Sequence, residues 1–97
     1  TVATSTMSAS STVTPTGSFF VQVTGSGSKT LTIDAANLAV GATVDILSYT
    51  TGTTTVATTG SETFRQANGA STSTINVTSA GLRMVFYGSE FNVISTN

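Results

Sequence analysis

Apolar side chains in this chain fall at every second position, in short runs separated by glycine-containing turns. Phe19, Val21 and Val23 share one face of the run Ser18–Thr24, and Leu31 with Ile33 does the same in Lys29–Ile33. Val44 and Ile46 alternate within Ala42–Tyr49, and Ile75 with Val77 within Ser73–Thr78. Phe64 is the one strong anchor of Ser61–Gln66, and Thr53–Thr59 reads as a mostly polar strand. A period of two is the signature of a strand with one face on a core. Turn signals stand at Gly25–Ser28, Thr50–Gly52, Gly60 and Asn68-Gly69, the last a hairpin pair. Asp34–Gly41 is long enough for one helical turn and too short for a stable helix. The pattern predicts an all-β domain: a small antiparallel β-sandwich or a jelly-roll-like barrel over residues 18–97. Residues 1–17 show no sustained period, end on the turn signal Pro15-Thr16-Gly17, and read as an extended arm or linker.

The closing segment, Leu82 to Asn97, reads as a hairpin around Gly88-Ser89 with apolar side chains on both faces. Leu82, Met84, Phe86, Phe91 and Val93 form one set and belong to the subunit's own core. A solvated antiparallel sheet needs only that one apolar face. Val85, Tyr87 and Ile94 form a second set, joined by Phe20, Leu47 and Tyr49, which lie off the core parity of their own strands. Phe20, Leu47, Val85, Tyr87 and Ile94 are therefore expected at an interface between subunits, with packing between two sheets of one subunit as the competing reading.

Composition points the same way. Among 97 residues there is no cysteine and no histidine, so disulfides, thiolate metal sites and the commonest metal ligand and general base are all excluded. A domain this small that lacks disulfides and metals recovers stability most readily by oligomerising. Only 7% of residues are charged, with a net charge of −1. No basic stripe offers an electrostatic footprint for nucleic acid, and no apolar run approaches the roughly 20 residues that a membrane-spanning helix needs. Thr and Ser make up over a third of the chain, a composition suited to exposed extracellular β-surfaces. The first residue is threonine and no signal-peptide pattern follows, so a processed form or a piece of a longer chain is expected.

Candidate chemistry is sparse, and no enzyme activity is expected. Asp34 and Asp45 flank one loop and could be a carboxylate pair, but a turn-capping Asp34 and a solvent-facing Asp45 account for them more simply. Ser26 and Ser28 lie near Lys29, the lone lysine, but a serine nucleophile needs a base and no histidine exists. Asn76-Val77-Thr78 matches a glycosylation acceptor and reads better as strand. For ligand binding, Tyr49, Arg65, Asn68 and Tyr87 are the candidates, with Glu62 and Arg83 beside them. Tyrosine offers a stacking face with a polar tip, and Arg65, Gln66 and Asn68 would form a polar loop tip. Arg83 and Glu90 lie close enough to the closing turn to be expected as a cross-strand pair.

The segment Lys29-Thr-Leu-Thr-Ile-Asp-Ala-Ala-Asn-Leu-Ala-Val-Gly-Ala-Thr-Val-Asp-Ile46 resembles a recurrent opening in C-terminal modules of bacteriophage tail fibres, head fibres and tailspikes. The ending Leu82-Arg-Met-Val-Phe-Tyr-Gly-Ser-Glu-Phe-Asn-Val-Ile94 resembles their closing hairpin, and the Gly/Thr-rich stretch from Gly52 to Thr78 their middle strands. Phe91 departs from the pattern, standing where tryptophan is common. The resemblance implies a homotrimer on the virion surface, at the distal end of a fibre or spike, with other virion proteins as neighbours. It also implies attachment to a host-surface glycan or protein, and composition adds the expectation of no cofactor, nucleic-acid partner or membrane insertion. Two further readings compete: a capsid decoration or cement domain held by the arm 1–17, and a monomeric carbohydrate-binding β-module of a surface protein.

Overall fold

In a computed structural model, which describes residues 3–66, 69–77 and 81–96, the chain is an all-β sandwich of two mixed sheets. The strands are β1 (Ala3–Met7), β2 (Ser11–Val13), β3 (Phe19–Val23), β4 (Lys29–Ile33), β5 (Thr43–Ser48) and β6 (Thr54–Thr58). There follow β7 (Thr63–Arg65), β8 (Ser71–Thr72), β9 (Ile75–Val77), β10 (Gly81–Phe86) and β11 (Glu90–Thr96). One sheet has seven strands in the order β1-β3-β5-β10-β11-β7-β8, and the other has four in the order β2-β4-β6-β9.

The first six strands alternate between the sheets. As a result β1, β3 and β5 stack in parallel in one sheet, and β2, β4 and β6 in parallel in the other. This half of the sandwich is thus a pile of three strand-turn-strand arches, in place of the antiparallel pairing expected from the short turns. An arch crosses from one sheet to the other, so its two strands never pair; each strand pairs instead with its counterpart in the next arch. Antiparallel pairing is confined to β5–β10, β10–β11, β6–β9 and β7–β8.

The alternating residues fill the space between the sheets. Val21, Val23, Leu31, Ile33, Val44, Val56, Phe64, Met84 and Phe91 are fully buried, as period-two strands with one core face require. Leu82, Phe86 and Phe91 are buried as expected, and Val93 packs against the same core. The loop between β4 and β5 adds Ala35, Leu38 and Ala42 to the core and contains no helix. β6, a weak polar strand by sequence, is an interior strand whose Thr54 is 1% exposed. The Thr54 hydroxyl lies 3.1 Å from that of Ser48, which satisfies a polar group buried among aliphatic side chains.

The segment 1–17, read as an arm or linker, contributes strands to the domain. From Ala3 to Val13 it supplies the outermost strand of each sheet, and Met7 is buried in the common core.

Candidate binding and assembly surfaces

The outward face of the seven-stranded sheet collects most of the second apolar set. Register places Phe20, Asp45 and Arg83 side by side across β3, β5 and β10, with Gln22, Leu47 and Gly81 in the next row. Val85 lies on the same face, opposite Thr43 and Asn92. Phe20, Leu47 and Val85 are half-buried and Ile94 is 57% exposed. Ile94 owes its position to a β-bulge: Met84 pairs with Val93 and Arg83 with Ser95, leaving Ile94 as the extra residue. A depression of about 340 Å³ opens on this face, lined by Phe20, Asp45, Leu47, Gly81 and Arg83. Gly81, having no side chain, leaves the space beside Leu47 unfilled.

The charges on this face are paired, but not as the sequence suggested. Arg83 donates from Nε to Asp45 Oδ1 at 2.6 Å, across β5 and β10, and Glu90 instead accepts from Arg65 Nε at 3.1 Å. The reason is register: Asp45 lies directly opposite Arg83, whereas Glu90 sits beyond the hairpin turn, beside β7. The Asp45 hydrogen bond, and then its charge, hold the Arg83 guanidinium above its ordinary pKa. A raised basic pKa contributes stability below the unfolded value and loses it only in strongly alkaline solution. Because the Arg83 side chain is 58% exposed, the pair fixes register more than it adds stability.

The binding candidates are divided between the two ends of the sheet. Tyr87 is 68% exposed in the β10–β11 turn, where its N–H donates to Glu90 O at 2.7 Å and Gly88 takes φ 93°. Val40, also 68% exposed, stands against Gly88, and the Gly41 N–H donates to Phe86 O at 2.8 Å. Arg65 reaches the same end through Glu90 and also donates from Nη1 to Gly69 O at 2.8 Å. Tyr87, Val40 and the Arg65–Glu90 pair therefore share one rim. Sequence inspection missed Val40, whose only signal was an apolar residue before a glycine in a loop. Tyr49 is 59% exposed but follows β5 at the opposite end, beside Leu47 and Gly81, so the two tyrosines form no common platform. Asn68 lies outside the described residues. Glu62 folds back over Gly60 next to Thr63, whose N–H donates to Ser89 O at 3.2 Å at this same end, and its Oε1 is buried without a hydrogen-bond partner.

The candidate chemical groups among the described residues are each engaged separately. Lys29 is 6% exposed, and its Nζ donates to Ser26 O at 2.7 Å and Gly27 O at 3.1 Å, which ties the lone amine to backbone carbonyls of its own turn. Asp34 caps a turn by accepting from the Ala36 N–H at 3.2 Å, and Asp45 is committed to Arg83. Among the described residues no group of acidic side chains is spaced to hold a metal ion. No described helix is long and apolar enough to cross a membrane.

These placements predict how the native chain meets chemical probes. Trypsin can cut only after Lys29, Arg65 or Arg83, and all three are strand residues. A protease needs a locally unfolded segment, so the folded chain is expected to survive trypsin for hours. The first cut is expected after Arg65, which ends a short strand near the sheet edge. An amine-reactive ester is expected to modify Lys29 only under denaturing conditions. Mass spectrometry of timed digests and of labelled protein checks both.

No known family model, curated protein or solved structure matches the chain.

Proposed function

We propose that this chain is a structural module of a virion fibre or spike that associates as a homotrimer and carries a host-attachment rim on the virion surface. The observation that carries this reading is the outward apolar set on the seven-stranded sheet: Phe20, Leu47 and Val85 in register around the Asp45–Arg83 pair, with Ile94 exposed at the bulge of the neighbouring strand. One subunit leaves this set partly in water, and the sheet's other face already fills the core. Apolar patches rimmed by polar groups mark protein–protein contacts. The rim with Tyr87, Val40 and the Arg65–Glu90 pair is then the attachment surface for a host glycan or protein. Three copies held together would convert a weak contact into useful avidity.

The cement-domain reading relied on a free arm, and residues 3–13 are spent on pairing within the chain's own sheets. The single-module carbohydrate reading relied on Tyr49 and Tyr87 acting together, which their opposite ends do not favour.

Sedimentation equilibrium tests the assembly. The expected result is a trimer mass at micromolar concentration, falling to a monomer when Val85 and Ile94 are both changed to Asp. Neither residue is fully buried in the subunit, so the variant should keep its far-ultraviolet spectrum. An unmutated chain that sediments as a monomer at that concentration would overturn the trimer. Tyr87→Ala should leave the mass unchanged and weaken binding to host cells by at least tenfold; unchanged binding would remove the rim from the proposal.

A further inference from the structure

Every cationic side chain in these 97 residues, Lys29, Arg65 and Arg83, is engaged within the subunit. The Lys29 ammonium is buried and donates to Ser26 O and Gly27 O. Arg83 is held by Asp45 on the outward face of the seven-stranded sheet. Arg65, the cation of the Tyr87 rim, donates from Nε to both carboxylate oxygens of Glu90, at 3.2 and 3.1 Å, and from Nη1 to Gly69 O. Capture of a sulfate, phosphate or carboxylate is carried most strongly by an arginine or lysine free to pair with it. The guanidinium of this rim already has its carboxylate and would have to surrender it first. A second carboxylate, that of Glu62, stands at the same end over Gly60. Negative side chains therefore outnumber positive ones there, and an approaching anion meets like charge.

The groups the rim does expose are uncharged. Tyr87 and Val40 are each 68% exposed, and Gly88 beside them carries no side chain, so a flat ring can come close to the turn. The Tyr87 main chain is fixed by its N–H bond to Glu90 O at 2.7 Å, so the phenol is presented on a backbone that is already ordered. A tyrosine face suits the C–H face of a sugar ring, and its hydroxyl can bond at the ring's edge. The Arg65 side chain is 46% exposed and that of Glu90 19%. A guanidinium has more N–H donors, and a carboxylate more lone pairs, than their mutual bonds use. The pair can thus meet sugar hydroxyls without separating. A protein receptor is less well served: a standard interface buries about 800 Å² on each partner, and Val40 with Tyr87 supplies little of the buried centre that such a contact needs.

We propose that the Tyr87 rim takes an uncharged glycan, with a neutral sugar ring stacked on Tyr87 beside Val40 and its hydroxyls read by the intact Arg65–Glu90 pair. This rests on the reading of that rim as the attachment surface, and it does not depend on the trimer. Glu90 then has two tasks. It accepts from the ligand, and it neutralises Arg65 so that anionic sugars gain nothing from the rim. Binding carried by stacking and by hydrogen bonds to neutral groups lacks the salt dependence of binding carried by charge.

A glycan array that pairs neutral glycans with their sialylated and sulfated forms tests it. Displaying the chain on fluorescent beads through a terminal tag supplies multivalency whatever its oligomeric state. Unmutated protein is expected to bind neutral glycans, with no stronger signal on their anionic forms. Raising sodium chloride from about 0.01 to about 1 M, which shortens the Debye length from about 30 to about 3 Å, should change that signal by less than about twofold. Tyr87→Ala should lower it by about tenfold or more, whereas Tyr49→Ala, at the opposite end of the sheet, should leave it unchanged. Glu90→Gln, which leaves Arg65 unneutralised, should add binding to sulfated glycans at the low salt and lose that gain at the high one. A Tyr87-dependent signal that prefers anionic glycans or collapses in salt would overturn the neutral ligand and leave the rim standing. A signal indifferent to Tyr87→Ala would remove the rim itself. Binding to no glycan on the array would overturn the carbohydrate and leave a protein receptor as the rim's partner.

Discussion

Phe91→Ala is expected to cost about 3–5 kcal/mol, the range for removing a large aromatic side chain from a packed core. Phe91 is fully buried, and its ring centroid lies 5.4 Å from that of Phe64 and 4.8 Å from that of Phe86. The three rings form one row across β10, β11 and β7, because register pairs Phe86 with Phe91 and Phe91 with Phe64. Small domains hold only about 5–15 kcal/mol in all, so this substitution removes a large share of the margin. Urea titration should show a lower midpoint with an unchanged slope, the mark of lost stability in an otherwise unaltered two-state transition. The damage should not be uniform. β7 has three residues, and Phe64 is its only large apolar side chain, so loss of the Phe91 ring loosens β7 first. Amide exchange at Phe64 and Arg65 should accelerate more than at Val44 or Met84. The Arg65–Glu90 pair would then lose its support, and the rim around Tyr87 with it. A Phe91→Leu variant, which keeps most of the volume, should recover much of the stability.

The phenylalanine row was legible because alternation states which face a side chain occupies. Phe19, Val21, Val23, Leu31, Ile33, Val44 and Ile46 follow the same rule, and all are buried. Alternation does not state which strand lies alongside, since parallel and antiparallel neighbours demand the same inward and outward residues. The parallel stacking of β1, β3 and β5 was therefore hidden behind turns that look like ordinary hairpins. β1 and β2 were hidden for another reason: at an open end the inward positions face no complete core, so Ala3 and Ser5 carry no apolar signal. Arg83 was assigned to the wrong carboxylate because closeness in sequence stood in for register. Asp45 is 38 positions away yet directly opposite on the neighbouring strand. The breach of parity at Phe20, Leu47 and Val85 corresponds to a shared outward face, while Ile94 is the exposed extra residue of a bulge. Tyr49 and Tyr87 broke parity too, but each lies just past the end of its strand, where parity no longer dictates direction.

Gly52→Ala should be among the most damaging small substitutions in the chain, although it adds only a methyl group. The turns of successive arches stack on one another, and Gly52 sits directly on Gly27. A Cβ at Gly52 would collide with Gly27 C and Ser28 N. Both atoms belong to the backbone, so no side chain can swing aside; one turn must lift from the other by about 1 Å, the shortfall from ordinary van der Waals contact. That lift strains the bonds that join the arches. Lys29 N–H donates to Thr53 O at 2.9 Å, Thr50 Oγ1 donates to Gly27 O at 2.8 Å, and the Thr53 N–H donates to Ser28 Oγ at 3.2 Å. Overpacking commonly costs about 1–3 kcal/mol, and an obstruction made of backbone belongs at the top of that range. Gly52 itself does not have a positive φ, so the loss is one of space and not of conformation. Gly27 is the converse, with φ 85° and nothing within 4 Å of an added Cβ, so Gly27→Ala should be penalised by backbone conformation alone, by about 1–2 kcal/mol. Gly17 has neither restriction, and Gly17→Ala should be neutral or stabilise the chain by about 0.4–1 kcal/mol through the unfolded state. Urea midpoints of the three alanine variants should fall in that order, Gly52 lowest and Gly17 highest. If Gly52→Ala matched Gly17→Ala, the arches could not be stacked with their turns in contact.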